Sequence, residues 1–273
     1  MENTAEFQWE SAAHTDVGLA RARNEDAWLA TPGLWVVADG MGGHALGDFA
    51  SHSIVEALST LSLPGDLDQA IDDTRAAILG VNQLLMDEAR QARVRVIGST
   101  VVALLARGHQ CACLWAGDSR LYLLRANHLQ QLTRDHSHVE QLRARGLITA
   151  EEAKHHPAHN AITRAVGAAA TLDLETLTLD VRDGDMFLLC SDGLYNDVDD
   201  TDIASVLASG DCRHAADELV RLALAHGGQD NVTVVVIRAS EADGGSESPS
   251  SSDTTGEPPK RGSAQAARHT QHK

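Results

Sequence analysis

The chain has 273 residues, 43% hydrophobic and 22% charged, which is an ordinary globular composition with length enough for a sizeable core. Its formal charge of −17 argues against nucleic acid or an anionic membrane as a partner, because Lys and Arg hold those. The N-terminal "MENTAEFQWE" lacks a basic stretch followed by an apolar one, and no apolar run approaches the ~20 residues of a membrane helix, so a cytoplasmic protein is expected.

In chain order, the first predicted strand is Gln8–Ala13, followed by the charged stretch Arg21 to Trp28, "RARNEDAW". Leu34–Ala38 is the next strand and ends abruptly in Asp39-Gly40. Two helical patterns follow: Leu46–Leu61, with Phe49, Ile54, Val55 and Leu58 at helical spacing, and Leu67–Gln91, with Ile71, Ile78, Val81 and Leu85. Strands are expected at Thr100–Ala106, Cys111–Ala116 and Leu121–Arg125, joined by short turns and hence paired antiparallel in sequence order. The polar segment Asp135–Pro157 reads as a small helical insertion, in which crowding by Glu151 and Glu152 keeps Thr149 from closing a capping box.

Strands Leu172–Leu179 and Met186–Cys190 come next. Helices Thr201–Ala208, capped by Asp200 or Thr201, and Arg213–His226, ended by Gly227-Gly228, precede a last strand at Val232–Ile237. Grouped helices and strands of this kind indicate an α+β fold rather than regular βαβ winding. Near Ser240 the composition turns to Ser, Gly, Pro and Thr, so residues 240–273 are expected to be a disordered tail and 8–239 a single domain. The four cysteines form no CxxC pair. Cys111 and Cys113 alternate on one strand and suit a reduced core.

Four acids share one local setting. Asp39 follows "LWVVA", Asp118 follows "CLWAG", Asp192 follows "FLLCS", and Asp230 precedes "NVTVVVI". Each alone is more often a turn residue than a ligand. Brought together at strand rims they would repel one another unless a cation intervened, and Mg(II) or Mn(II) suits oxygen donors with no His or Cys beside them. Arg21 is either a surface partner of the Asn24-Glu25-Asp26 turn or a fork gripping a tetrahedral anion.

Taken in order, Arg21-x-x-Asn24-Glu25-Asp26, Asp39-Gly40-Met41-Gly42-Gly43-His44, Gly98-Ser99-Thr100, Gly117-Asp118-Ser119-Arg120, Asp135-His136-Ser137, Thr163-Arg164-Ala165-Val166-Gly167, Ser191-Asp192-Gly193-Leu194 and Asp230-Asn231-x-Thr233 resemble the protein phosphatase 2C family, the metal-dependent Ser/Thr phosphatases, in bacterial form. The resemblance spans roughly residues 10 to 238. It implies a four-layer αββα sandwich, two β-sheets flanked by helices, with a helical flap at about 135–160 beside the metal site. It implies two Mn(II) or Mg(II) ions: Asp39 bridges them, the Gly40 carbonyl serves the second, and Asp192 and Asp230 complete the first. Asp118 resembles the ligand of a third, weaker ion shared with Asp192, and Glu25 and Asp26 resemble outer acids that hold waters.

The implied reaction is hydrolysis of phosphoserine or phosphothreonine on proteins, by water activated between two metals, with Arg21 holding phosphate oxygens. The partners implied are phosphorylated proteins and a Ser/Thr kinase pathway, for a monomeric enzyme. The alternative is a catalytically silent scaffold that binds phosphoproteins. Met41 replaces the His that many relatives carry after Asp-Gly, which leaves His44 as a candidate general acid or as a helix-start histidine. Flap histidines 155, 156 and 159 are read as solvent-exposed, and Arg143, Arg145 and Lys154 as cations that help receive the phosphorylated segment.

Overall fold

A computed structural model describes residues 7–41, 46–63 and 65–242, and within them no helix is long and apolar enough to cross a membrane. The elements in chain order are β1 (Phe7–Asp16), β2 (Asp26–Thr31), β3 (Leu34–Met41), α1 (Gly47–Ser59), α2 (Leu67–Ala92), β4 (Gly98–Ser99), β5 (Val101–Arg107), β6 (Gln110–Ala116), β7 (Arg120–Arg125) and β8 (His128–Gln131). They continue as α3 (His138–Ala144), α4 (Ala150–Lys154), β9 (Glu175–Asp180), β10 (Met186–Cys190), α5 (Asp192–Tyr195), α6 (Asp200–Leu207), α7 (Cys212–His226) and β11 (Val232–Glu241).

The strands form two antiparallel sheets, ordered β1-β11-β10-β7-β8 and β2-β3-β5-β6-β9, with β4 paired to β3. Strand alternation explains why "LWVV" is apolar at every position. Leu34, Val36 and Ala38 face a core shared with Ile54 of α1 and Ile78 and Leu85 of α2. Trp35 and Val37 face the other way, into a core between the sheets with Leu121, Phe187 and Val235. A third core joins Tyr122 and Leu188 to Leu219 of α7. Helices, sheet, sheet and helices therefore make the four-layer α+β sandwich that the motifs imply. Cys111 and Cys113 both lie in the inter-sheet core, as free thiols whose pKa values burial raises.

Several local expectations are corrected. β6 and β7 do not pair: β6 lies between β5 and β9, and β7 between β10 and β8. Their short connection crosses from one sheet to the other through Gly117, whose φ of +119° a side chain would resist. Both strands are buried on both faces, so burial alone does not say which sheet holds them. The capping box at Thr149 does form: its hydroxyl accepts from Glu152 N–H, and its own N–H donates to the Glu152 carboxylate at 2.7 Å, which lowers the Glu152 pKa. Phe49 faces solvent at 41% exposure, the N-cap of α6 is Asp199, and the strand expected from Leu172 begins at Glu175. Strands β2, β4 and β8 are unanticipated; β2 is read out by the Pro32-Gly33 hairpin turn, with Gly33 at φ +79°.

The segment between β8 and β9 carries α3 and α4, where the insertion is expected. Its two ends are stitched together by the Ser137–Ile162 bridge and by Thr163 N–H donating to the His136 carbonyl at 2.7 Å. The expected tail from 243 onward lies outside the described residues.

Candidate active site

Strand pairing brings the first acid into place. In β3, Asp39 sits opposite Asp26 of β2, and its backbone is held by Thr100: Asp39 N–H donates to Thr100 Oγ1 at 3.0 Å, and Thr100 N–H to the Asp39 carbonyl at 2.9 Å. Gly40 keeps negative φ, so glycine is required here for close approach rather than for an unusual backbone angle. A Cβ would strike the carbonyls of Gly47 and Glu25.

Asp118 stands in the crossing after β6, 7% exposed, with Ser119 Oγ 2.7 Å from Thr100 Oγ1. Asp192 opens α5 immediately after β10, and Gly193 admits the Asn231 carbonyl against its backbone. Asp230 precedes β11 and accepts from Arg21 Nη2 at 2.6 Å. Asn231, beside it, donates to the carbonyls of Val17 and Arg23 and accepts from Glu25 N–H, each at 2.8 Å. One buried amide thus fastens the whole Arg21–Glu25 loop to the start of β11.

Five distant segments meet in one open cavity of about 750 Å³, lined by Arg21, Glu25, Asp39, Gly40, Asp118, Asp192 and Asp230 among others. Asp26 lies behind it, 5% exposed. Its Oδ2 accepts from Ser191 Oγ at 2.8 Å, and its Oδ1 has no partner. Burial, with the neighbouring carboxylates adding to it, pushes Asp26 up to about 7, Asp118 to about 8 and Asp192 to about 6. Asp39 is held well above the usual carboxylate range by burial and by Asp26 and Asp192. Arg21 is raised as well, which for a guanidinium favours the charged form: its bond to Asp230 is the main cause, and Asp192 and Asp39 add to it. Among the described residues no three His, Cys, Asp or Glu side chains stand as a finished ligand cage; the acids line one cavity without closing on one point.

The family model described as protein phosphatase 2C matches residues 14–226. The chain belongs to the protein phosphatase 2C family. It is 40% identical over 243 residues to the serine/threonine protein phosphatase PstP of Mycobacterium tuberculosis, covering 87% of this chain and 46% of that one. It therefore spans about half the length of that curated relative. Among solved structures it resembles PppA, described as a key regulatory component of T6SS in Pseudomonas aeruginosa, with a TM-score of 0.80 and 45% identity over 85% of this chain and 97% of that one. The PstP catalytic domain solved with two manganese ions superimposes with a TM-score of 0.79 and 37% identity, over 86% and 100% of the two chains.

Within this phosphatase 2C chain, every expected acid and Arg21 reaches the cavity or its wall, whereas His44 lies outside the described residues. Arg143, on α3, pairs with Glu140 at 2.8 Å. Sequence reasoning gave no separate role to Thr100, Ser191 or Asn231, although all three stand inside the quoted motifs. Small polar residues beside Asp or Gly were the available signal. Tyr195 carried no such signal: its hydroxyl donates to the Asp118 carbonyl at 3.0 Å, and its ring lies 3.4 Å beneath the Arg120 guanidinium.

Proposed function

We propose that this chain hydrolyses phosphoserine and phosphothreonine esters on proteins, with two Mn(II) or Mg(II) ions held by Asp39, the Gly40 carbonyl, Asp192 and Asp230, and a third by Asp118 with Asp192. The observation that carries the reading is the gathering of four raised-pKa carboxylates in and behind one cavity, where Arg21 pairs with Asp230. The donor set fits hard divalent ions: the lining is carboxylate and carbonyl oxygen, with neither thiol nor imidazole among the described lining residues. The partnerless Oδ1 of buried Asp26 is a further oxygen that an ion or its waters would satisfy. When bound, such a pair supplies Lewis acidity and a water made nucleophilic near neutral pH.

The chain's own residues supply the rest. Arg21, exposed on one side and anchored to Asp230 on the other, presents its remaining N–H groups to phosphate oxygens and opposes the charge that grows on them. Asn231 fastens the Arg21 loop to the start of β11, so the guanidinium that meets the phosphate is carried on an anchored backbone. Glu25 and Asp26 serve as outer acids. The names of the relatives support protein substrates. The reading extends to opposition to a Ser/Thr kinase by a cytoplasmic monomer whose catalytic domain is 8–239, with a flap at about 135–160.

The test is turnover of a phosphothreonine peptide with and without Mn(II). Release of phosphate that EDTA abolishes and Mn(II) restores is expected. Tight peptide binding without release, at saturating Mn(II), would instead establish the silent-scaffold reading.

A further inference from the structure

Gly117, the residue before Asp118, is bonded twice to His136. Its N–H donates to His136 Nδ1 at 3.0 Å, and the His136 N–H donates to its carbonyl at 2.9 Å. The imidazole is 7% exposed and lies parallel to the Trp115 indole, with ring centroids 6.1 Å apart and planes 7° apart. Trp115 is itself fixed, its Nε1–H donating to the Arg134 carbonyl at 3.0 Å. On the far side, His136 Nε2 is 2.9 Å from Glu175 Oε1 and 3.1 Å from Arg164 Nη1, and that same Nη1 donates to Glu175 Oε1 at 3.3 Å.

The Gly117 bond fixes the tautomer. A backbone N–H has only a hydrogen to offer, so Nδ1 accepts, and a neutral ring then carries its hydrogen on Nε2, directed at the Glu175 carboxylate; Arg164 Nη1, also a donor, lies beside Nε2 without bonding it and gives its hydrogen to Glu175. Burial lowers the pKa of the ring and the Arg164 cation adds to that, against the opposing pull of Glu175. The neighbouring residue makes a second hold. Asp135 pairs with both sides of Arg120, at 2.7 Å from Nη2 and 3.0 Å from Nε, and Arg120 covers the Tyr195 ring whose hydroxyl bonds the Asp118 carbonyl. Asp135 and His136 begin the segment that carries α3 and α4.

We infer that His136 is a positioning residue: as a neutral ring accepting at Nδ1, it fixes the Gly117–Asp118 turn that presents the Asp118 carboxylate, and it locks that turn to the root of the flap. The inference rests on the reading of Asp118 as a metal ligand given above. The ring does not line the cavity, so its influence reaches the chemistry only through the turn.

Two substitutions separate the two ends of the ring. His136→Asn keeps an acceptor near the place of Nδ1, whereas His136→Gln keeps a polar group near the place of Nε2. In the full-length protein treated with EDTA, hydrogen exchange of the Gly117 amide reads the turn directly. Calorimetric titration with Mn(II) then reads the ligand. His136→Asn is expected to keep Gly117 protection and Mn(II) affinity within a few-fold of wild type. His136→Gln should lose that protection and weaken the Mn(II) step that uses Asp118 by about tenfold, the loss typical when a partner behind a ligand is removed, with kcat recovering at saturating Mn(II) and KM unchanged. Wild-type protection in His136→Gln, or equal losses in both variants, would overturn the inference and leave the ring as core filling. If the wild type took up no Mn(II), the metal reading would fall, while the exchange contrast would still decide the role of His136.

Discussion

Strand β10 carries a carboxylate just beyond each end, and the two live under opposite conditions. Asp185 precedes the strand, 1% exposed, and is fully answered: Arg125 donates to both its oxygens at 2.7 and 2.6 Å, and Arg182 N–H adds a third bond at 2.8 Å. Asp192 follows the strand and stands among Asp39, Asp118 and Asp230, which raise its pKa or share its cavity, while Arg21 pulls the other way without bonding to it. Burial is comparable in kind, and compensation is not. A buried acid with its own cation is architecture, whereas a group of acids without one is stored repulsion that a divalent ion relieves. The far end of the sandwich is held by paired charges, and the near end, on the function proposed above, by ions that it takes up.

Substitutions at the two ends should therefore separate activity from stability. Asp39→Ala is expected to lower turnover of a phosphothreonine peptide by more than about a hundredfold, beyond the 10–100-fold seen when only a partner behind a ligand is lost. Its metal-free melting temperature should be equal to or above that of wild type, because one repelling charge is gone; retained turnover would break the comparison. Arg21→Lys, which keeps the charge but loses the fork, should raise KM and lower kcat/KM by about tenfold, the worth of one ~1.4 kcal/mol contact. Asp185→Asn should do the reverse, leaving kcat and KM unchanged and costing about 1.5–3 kcal/mol in urea unfolding, the worth of hydrogen bonds to a charged group.

The pH dependence sharpens the contrast. Asp26, Asp118 and Asp192 titrate in the folded protein at about 7, 8 and 6, above the ~3.9 of an unfolded Asp, so the folded state holds the extra protons. Their contribution to stability is fully present below about pH 4 and is lost as pH rises through 6 to 8. Melting in EDTA should thus fall from pH 5 to pH 8.5, and Mn(II) should recover the loss at the upper end. A metal-free melting temperature that climbs across that range would show the acids to be compensated already. The smallest effect is expected from removing residues 243–273, with peptide turnover within a few-fold and melting unchanged.

Much of this was legible beforehand, for reasons that differ by element. Ile54, Leu58, Ile78 and Leu85 mark their helices because a helix packed on a sheet must repeat its apolar face every 3.6 residues. Leu34–Ala38 and Met186–Cys190 read as strands because both of their faces are covered. β8, with only Leu129 half-buried, left no such mark, and neither did the two-residue β4. The acids were legible as a set at strand ends, but their pairing with particular supports was not. Asn231 reaches Val17, 214 residues away in the chain, and Ser191 reaches Asp26 across 165 residues; no local pattern encodes such contacts.

By itself the sequence determined the long helices and the buried strands, that acids end several of those strands, and which family these motifs belong to, because periodicity and turn chemistry are local. Only the tertiary structure decided that β6 and β7 lie in opposite sheets, that Asp26 is walled in with one oxygen unanswered, and that His136 braces the turn before Asp118. Each of those depends on which surfaces meet across the sandwich. That is fixed by packing between residues far apart in the chain, where desolvation and charge act together.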